Sequence, residues 1–348
     1  MFTTRDLKYL LAYVLPASAF WAVSQGGLAS YSALFVGFGA LPALELILPV
    51  STRNPAVEEE APRSRLLIFD LLLYLNLPLL YLLVCYFLST VHQGGLAPWE
   101  ITGMTLSVGL VIGTSGINVG HELGHRHTAY ERAMAKALLL PGFYMHFIIE
   151  HNLGHHKHVA TPEDPATARR GEPIYRFLLR SAWGAYRNAW RLERSRLNRA
   201  GQPFWSINNE MLRFTAIELG YLLLAGWAYG PAAAALALGA GVFGFLMLES
   251  VNYIEHYGLV RRKLPNGKYE RVTPAHSWNS DHELGRIFLY ELTRHSDHHY
   301  KATRKYQILR RHEESPKLPT GYPGAILLAL VPPAWYRVMH PRLPRQQG

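Results

Sequence analysis

Long apolar runs alternate with strongly polar segments along this 348-residue chain. Six runs approach or exceed the roughly 20 apolar residues that a bilayer-spanning helix requires. The pattern therefore predicts an all-α integral membrane protein, a single domain over residues 1–348, whose long polar segments 121–210 and 256–348 form a helical cap. The predicted transmembrane helices are about 7–25, 28–50, 66–91, 98–120, 211–230 and 232–255.

Basic residues mark one side of the predicted bundle. The short connections QGGLA, HQGGLAP and YGP contain no lysine or arginine. All 35 basic residues lie in the N-terminus, in 51–65, 121–213 and 257–348, or at the ends of spans that border them. Because cytoplasmic loops carry the excess of lysine and arginine, both termini and the cap are predicted to be cytoplasmic. This topology also explains the net charge of +10 without a nucleic-acid partner.

Two further apolar segments are too short to span the membrane comfortably. Residues 135–150 are interrupted by Pro141, and a crossing there would separate His121 from His151 on opposite sides. We therefore predict a re-entrant or interfacial helix for 135–150. Residues 322–339 are also bounded by prolines and predict a helix that lies on the membrane surface.

Histidine is concentrated in four short segments that meet the cytoplasmic face in this topology. Two of them follow the ends of the fourth and sixth spans, and the other two lie in the cap. The segments are HELGHRH (121–127), EHNLGHHKH (150–158), NYIEHYGL (252–259) and TRHSDHHY (293–300).

Helical spacing groups these histidines further. Residues i, i+3 and i+4 share a helix face at about 100° per residue, as do His121 and His125. His151 and His155 repeat the i, i+4 spacing, and residues 295, 298 and 299 form a triplet. The doublets 155–156 and 298–299 point about 100° apart, so that their members can serve different metals.

The segments offer nine candidate ligands, which suits two metal ions with four or five ligands each. The only cysteine, Cys85, lies in an apolar run, so nitrogen and oxygen must supply the ligands. Imidazole suits zinc, copper, nickel and iron. Iron is preferred because a site beside an apolar interior suits oxygen activation against unreactive substrates. Geometry alone leaves open whether His158 is a ligand, since it points almost in the direction of His151.

These motifs resemble those of the AlkB-type alkane 1-monooxygenases, integral-membrane non-haem di-iron hydroxylases of the fatty acid desaturase/hydroxylase superfamily. HELGHR, EHNLGHHKHVATPEDPA, NYIEHYGL and LTRHSDHHY match the family's histidine motifs, and HSWNSDHELGR (276–286) resembles the segment before the last of them. Arg126, Thr293 and Tyr300 replace the usual lysine, glutamine and alanine. The resemblance covers residues 98–310.

The resemblance implies a ligand set and a reaction. It implies two iron ions, O2 as oxidant, and terminal hydroxylation of medium-chain n-alkanes, drawn from the bilayer, to 1-alkanols. Rubredoxin, reduced by an NADH-dependent reductase, would supply the electrons in a bacterial inner membrane. His158 falls outside the implied ligands, which are His121, His125, His151, His155, His156, His256, His295, His298 and His299.

Carboxylates close to the ligands are candidates to orient the imidazoles, because a ligating histidine usually donates its other N–H to such a group. These candidates are Glu122, Glu150, Glu255, Asp297, Asp164, Asp281 and Glu249. An alkane tunnel between the fourth and sixth spans is the second hypothesis, with close helix packing as the alternative for its small residues. The candidate tunnel residues are Gly113, Gly116, Ile117, Leu246 and Glu249.

The chain has neither a nucleotide-binding loop nor a cysteine-ligated iron centre, so a separate carrier must deliver electrons. The basic, aromatic segment 169–199 is a candidate docking site for an acidic carrier, with the positive-inside bias as the simpler alternative explanation of its charge. Two alternative functions stay open: a membrane fatty acyl desaturase or a xylene- or carotenoid-type hydroxylase, and a metal-ion transporter. The oligomeric state also stays open.

Overall fold

The computed structural model describes residues 4–344, and within that range it is helical apart from loops and isolated β-bridges. The first half of the chain forms long apolar helices joined by short turns. Glu100 connects two of these turns, because its carboxylate accepts hydrogen bonds from the Ala97 N–H (2.8 Å) and the Gly27 N–H (2.5 Å). These helices are α1 (Asp6–Gln25), α2 (Gly27–Ile47), α3 (Val57–Ser64), α4 (Leu67–Gln93) and α5 (Pro98–Gly124).

The middle of the chain adds a helical hairpin, a long polar helix and two more apolar helices. The Asn209 side chain caps the helix that begins at Glu210, because it accepts hydrogen bonds from the N–H groups of Met211 and Leu212 (3.0 and 3.3 Å). Gly230, at φ +88°, allows the tight turn between this helix and the helix that begins at Pro231. The helices are α6 (Ala129–Leu139), α7 (147–158), α8 (Ile174–Arg199), α9 (Glu210–Tyr229) and α10 (Pro231–His256).

The last part of the chain forms short helices that pack on the ends of the long ones. Residues 322–339 were predicted to form one helix on the membrane surface. They instead form two helices separated before Pro332, and the side chain of Trp335 is fully buried. A proline pair at 332–333 explains the break, since proline is favoured only in the first turn of a helix. The helices are α11 (Glu283–Phe288), α12 (His295–Tyr300), α13 (Tyr322–Ala329) and α14 (Pro332–Met339).

Six of these helices, α1, α2, α4, α5, α9 and α10, are long and apolar enough to cross a membrane. The predicted fold class, an all-α protein with six spans, is therefore confirmed. The main shift in boundaries is at the end of α5, which continues to Gly124 and so includes His121.

The hairpin of α6 and α7 turns inside the bundle, as the re-entrant prediction for 135–150 requires. The turn at Leu140–Gly142 contains Pro141, whose carbonyl oxygen lies 2.5 Å from a Cβ built on Gly241, a residue well inside α10. Gly142 similarly packs against Ile117 of α5. The hairpin thus starts and ends on the side of the bundle where α5 and α10 terminate.

Ion pairs and hydrogen bonds attach the cap to polar residues within the spans. Asp70 of α4 accepts from Lys305 (2.7 Å) and lies 3.3 Å from Arg126. Asn76 donates to the Tyr290 hydroxyl (3.0 Å), and the Gly285 N–H donates to Glu45 of α2 (3.0 Å). These three polar residues within the spans therefore each have a partner in the cap, which offsets the cost of placing them there.

Helices α5 and α10 are in close contact at the centre of the bundle. A Cβ built on Gly109 would lie 2.6 Å from the Ala240 carbonyl oxygen, and one on Gly113 would lie 2.9 Å from that of Gly244. Small residues let the two backbones approach in this way. Their approach sets the separation of His121 and His256 at the ends of these helices.

We predict that Gly109→Ala lowers the free energy of unfolding by about 1–3 kcal/mol, because its methyl group would overlap the α10 backbone. Gly220→Ala is the matched control, since the exposed Gly220 of α9 has no atom within 4 Å of a built Cβ. That change should be neutral or stabilise by up to about 1 kcal/mol. Thermal unfolding of the purified protein in detergent measures both, and equal midpoints would contradict the proposed close contact.

Candidate metal centre

Nine histidine side chains converge in two groups where the spans meet the cap. In each group, one nitrogen from every residue lies within 4.8 Å of the others. The structure thus brings together all nine histidines that the sequence singled out. The first group is His121, His125, His151, His156 and His298, and the second is His155, His256, His295 and His299.

Four helices supply these side chains from different parts of the chain. His121 lies near the end of α5 and His125 directly follows it, whereas His256 is the last residue of α10. Helix α7 and helix α12 contribute three histidines each. The two groups therefore form only when the hairpin and the cap pack against the ends of α5 and α10.

A π-helical turn at His151–His155 decides how α7 divides its histidines. The His156 N–H donates to the His151 carbonyl, five residues earlier, so His156 rather than His155 stands beside His151. Their Nε2 atoms are 3.0 Å apart. The predicted i, i+4 pair His151 and His155 therefore divides between the two groups, although the two rings remain 5.2 Å apart.

Both histidine doublets connect the two groups. His155 belongs to the second group and its neighbour His156 to the first, and His298 and His299 divide in the same way. Adjacent residues on a helix point about 100° apart, so a doublet naturally faces two centres. The prediction that each doublet serves two metals matches this arrangement.

The donor atoms fit a pair of metal cations. Nε2 of His121 and Nε2 of His298 are 2.8 Å apart, and Nε2 of His295 lies 2.9 Å from that of His299. The Nε2 atoms of His125 and His155 are buried without a hydrogen-bond partner. Burying an unpaired polar atom is costly, and a metal ion shared by these lone pairs removes that cost.

The protonation of the histidines outside the spans also suits metal binding. Burial is the main cause that lowers the pKa of His125, His151, His156, His295, His298 and His299 well below the usual value. These imidazoles are therefore neutral at pH 7 and keep a free lone pair. His155 differs: burial lowers its pKa, but the carboxylates of Asp164, Glu150 and Glu249 together raise it above the usual value.

Two of the predicted carboxylates contact the histidine groups directly. Asp164 accepts a hydrogen bond from His155 Nδ1 (2.9 Å), which leaves Nε2 facing the second group. Glu255 Oε2 lies 3.2 Å from His295 Nε2, while Tyr322 donates to Glu255 Oε1 (2.6 Å). Both carboxylates therefore serve the second group.

The other five candidate carboxylates form hydrogen bonds or ion pairs with residues outside the two histidine groups. Asp297 accepts from Arg304 (2.7 Å) and from His312 (2.8 Å), and so stabilises the loop after α12. The remaining contacts are Glu122 with Arg126 (2.9 Å), Glu150 with Asn188 (3.1 Å), Asp281 with Arg311 (2.8 Å) and Glu249 with Tyr144.

Three contributors to the centre were not among the predicted site residues. His256 Nδ1 donates to the His276 carbonyl (3.4 Å), which orients that imidazole. Thr167 donates to Asp164 (2.6 Å), and Tyr322 holds Glu255 as described above. Tyr322 and His276 are distant in sequence from their partners, and Thr167 belongs to no motif of its own. His276 nevertheless begins the segment 276–286 that resembles the family pattern.

The histidines outside the four segments lie outside both groups, as do His127 and His158. His158 is only half-buried, and its Nδ1 pairs with Glu163 (2.7 Å). Three of the others have ordinary partners: His92 contacts the Tyr229 carbonyl (2.8 Å), His312 contacts Asp297, and His340 contacts the Tyr257 hydroxyl (2.9 Å).

An apolar cavity lies beside the second group, between α1, α2, α5, α10 and α13. Along α5 it extends from Leu110 to Asn118, about 12 Å at the helical rise. Tyr322 lines its wall and, through Glu255, connects it to His295. Of the predicted tunnel residues, Gly113 lines this cavity; Gly116, Ile117, Leu246 and Glu249 lie outside its lining.

Fold and site together define a class: integral-membrane helical proteins with a buried polyhistidine metal site. Residues 97–326 match the family model described as fatty acid desaturase. The chain is 42% identical to an alkane 1-monooxygenase of Pseudomonas putida over 331 residues, 94% of this chain and 82% of that protein. It is 41% identical to alkane 1-monooxygenase 1 of Alcanivorax borkumensis over 336 residues, 94% of this chain and 82% of that protein.

A more distant relative is the hydroxylase component XylM of a xylene/toluene monooxygenase from Pseudomonas putida. It is 28% identical over 338 residues, 96% of this chain and 87% of that protein. The chain therefore belongs to the fatty acid desaturase family and, within it, to the alkane 1-monooxygenases. The resemblance stated from the motifs is confirmed.

We predict that His156→Ala empties the first group of its metal, whereas His158→Ala leaves both ions bound. Removing one imidazole from a converging set weakens metal binding, whereas His158 pairs with Glu163 outside both groups. Elemental analysis of the purified variants should give about half the wild-type metal content per chain for His156→Ala and the wild-type content for His158→Ala. Equal metal loss in the two variants would contradict the assignment.

Proposed function

We propose that this enzyme hydroxylates the terminal carbon of medium-chain n-alkanes, using O2, two iron ions and electrons from rubredoxin. The observation that carries the proposal is the position of two buried histidine groups beside an apolar cavity. Relatives that are alkane 1-monooxygenases over nearly the whole chain support the same reaction. The metals, when bound, supply the activation of O2 that an unreactive C–H bond needs.

The proposed ligands are the nine histidines of the two groups, five for one iron and four for the other. Asp164 holds His155 in the tautomer that presents Nε2, and the His276 carbonyl does the same for His256. Glu255 contacts His295 through one oxygen and accepts from Tyr322 of the cavity wall through the other. These residues orient the donor atoms of the second group.

The cavity suits a substrate that has no polar handle. Its lining includes Leu15, Leu41, Leu110, Met247, Leu248 and Ile326. Each methylene removed from water contributes about 0.8 kcal/mol, so the apolar walls bind an alkane by shape and burial alone. An alkane extended along α5, with one end near Asn118, would present its terminal carbon toward the histidine groups.

We further propose a bacterial inner-membrane location with both termini and the cap in the cytoplasm. The turns between α1 and α2, α4 and α5, and α9 and α10 lack lysine and arginine, whereas the cap is rich in both. This distribution follows the positive-inside rule. A cytoplasmic cap also puts the histidine groups on the side where reduced carriers are available.

A product assay tests the proposal. Purified enzyme loaded with iron, and supplied with rubredoxin, its reductase and NADH, should convert octane to 1-octanol. The desaturase and the aromatic hydroxylase remain as alternative activities, so a fatty acyl chain and xylene serve as parallel substrates. If these substrates react while no alkane yields an alcohol, the proposed reaction is excluded.

A change at the far end of the cavity should alter the preferred chain length. Leu110→Trp fills the end away from the histidine groups, so dodecane should lose about tenfold or more in kcat/KM relative to hexane. Leu82→Trp is the matched control, because Leu82 is exposed on the outer face of α4. A ratio of dodecane to hexane turnover that is the same in both variants would show that this cavity does not hold the substrate.

A further inference from the structure

A basic surface covers the cap beside the second histidine group. Loops 157–171 and 258–271 form it, joined by hydrogen bonds from the Gly258 N–H to the Ala168 carbonyl (2.9 Å) and from the Arg261 N–H to the Ala160 carbonyl (2.7 Å). We call it the loop surface. Its exposed basic residues are Lys157, Arg169, Arg170, Arg262, Lys263, Lys268 and Arg271.

Few acidic side chains offset this charge. Glu163 is exposed, whereas Glu270 is half-buried and already accepts from the Arg262 N–H (2.8 Å). Glu270 also lies 3.4 Å from His276. The loop surface therefore presents a positive field to the solvent, which attracts acidic partners.

A pocket in the loop surface is lined by a carboxylate that contacts the second histidine group. Asp164, Thr167, Arg169, Arg170 and Gly258 line it. Asp164 is only 2% exposed, and its Oδ2 lies 2.9 Å from His155 Nδ1. One carboxylate and one imidazole thus separate the pocket from the donor atoms of the group.

A second connection reaches the same surface. His256 ends α10 immediately before loop 258–271, and its Nδ1 donates to the His276 carbonyl (3.4 Å). The His276 ring in turn contacts Glu270 on the loop (3.4 Å). Two of the four histidines in the second group therefore have a hydrogen-bonded connection to the loop surface.

We propose that an acidic one-electron carrier docks on the loop surface and delivers electrons through Asp164 and His155. The inference rests on the proposed function, in which two electrons and two protons join one O2, so that one oxygen atom enters a C–H bond and the other leaves as water. Two successive dockings supply the electrons. Because electron transfer slows steeply with distance, a carrier seated over the pocket has a short path to the metals.

The loop surface includes only the beginning of segment 169–199, which the sequence indicated as a candidate docking site. Arg169 and Arg170, at the start of that segment, belong to the loop surface. The rest of that segment is α8, whose exposed Arg191 and Arg194 lie near its C-terminal end, where Arg196 donates to the Asn208 carbonyl beside α9. These two arginines have the same charge and exposure as the first pair, and so provide a matched control.

Charge reversal tests the docking site in the full-length enzyme embedded in lipid nanodiscs. Oxidised rubredoxin is the probe, and its binding is measured directly at low and at high salt. Arg169→Glu with Arg170→Glu should weaken binding at low salt by about tenfold or more and reduce its salt dependence. Arg191→Glu with Arg194→Glu should change the dissociation constant less than about twofold.

Turnover separates docking from chemistry. With reduced rubredoxin, the first variant should show a raised KM for the carrier, whereas single-turnover product formation after chemical reduction should match the wild type. Equal weakening by the two charge reversals, loss only with the α8 pair, or no rubredoxin binding to the wild type would overturn the inference. If the wild type binds rubredoxin and shows this charge pattern but makes no alcohol, only the proposed reaction fails.

Discussion

The convergence of nine imidazoles, seven of them buried, is the constraint on which the rest of this structure depends. Lone pairs that face one another without water or a donor between them are unfavourable unless a cation joins them. The two groups form only where the ends of α5 and α10 meet the hairpin α6–α7 and helix α12. Polar residues within the spans, such as Asp70 and Glu45, then attach the cap that holds α12 in place.

The two groups are joined and yet differ in their surroundings. The doublets 155–156 and 298–299 each place neighbouring residues in both groups, which fixes the two groups relative to each other. Asp164 and Glu255 both contact the second group; Asp164 also lines the loop-surface pocket, whereas Glu255 accepts from Tyr322, which lines the apolar cavity. Electrons and substrate would therefore approach the same group through different residues.

Local sequence was enough to predict much of this arrangement. Span number follows from apolar length, and the histidine segments follow from their density near span ends. Regular helical spacing was not enough to predict how α7 divides its histidines, because a π-helical turn places His156 with His151 in the first group. The partners of the carboxylates were harder still to predict. Asp297 contacts Arg304 and His312, and only the tertiary path of the loop brings these residues together.

The C-terminal helices illustrate the same limit. Apolar composition in 322–339 predicted a surface helix, but buried aromatic contacts decide its place: Trp335 packs against Tyr253 and Tyr257 at the end of α10. Tyr322, in the same segment, donates a hydrogen bond to Glu255 of α10. Residues that support a site through such packing carry no spacing signal of their own.

X-ray diffraction from crystals of the enzyme at the iron absorption edge tests the central claim most directly. Two anomalous peaks are expected, one among His121, His125, His151, His156 and His298 and the other among His155, His256, His295 and His299. A single peak, or peaks at the zinc edge instead of the iron edge, would contradict the account.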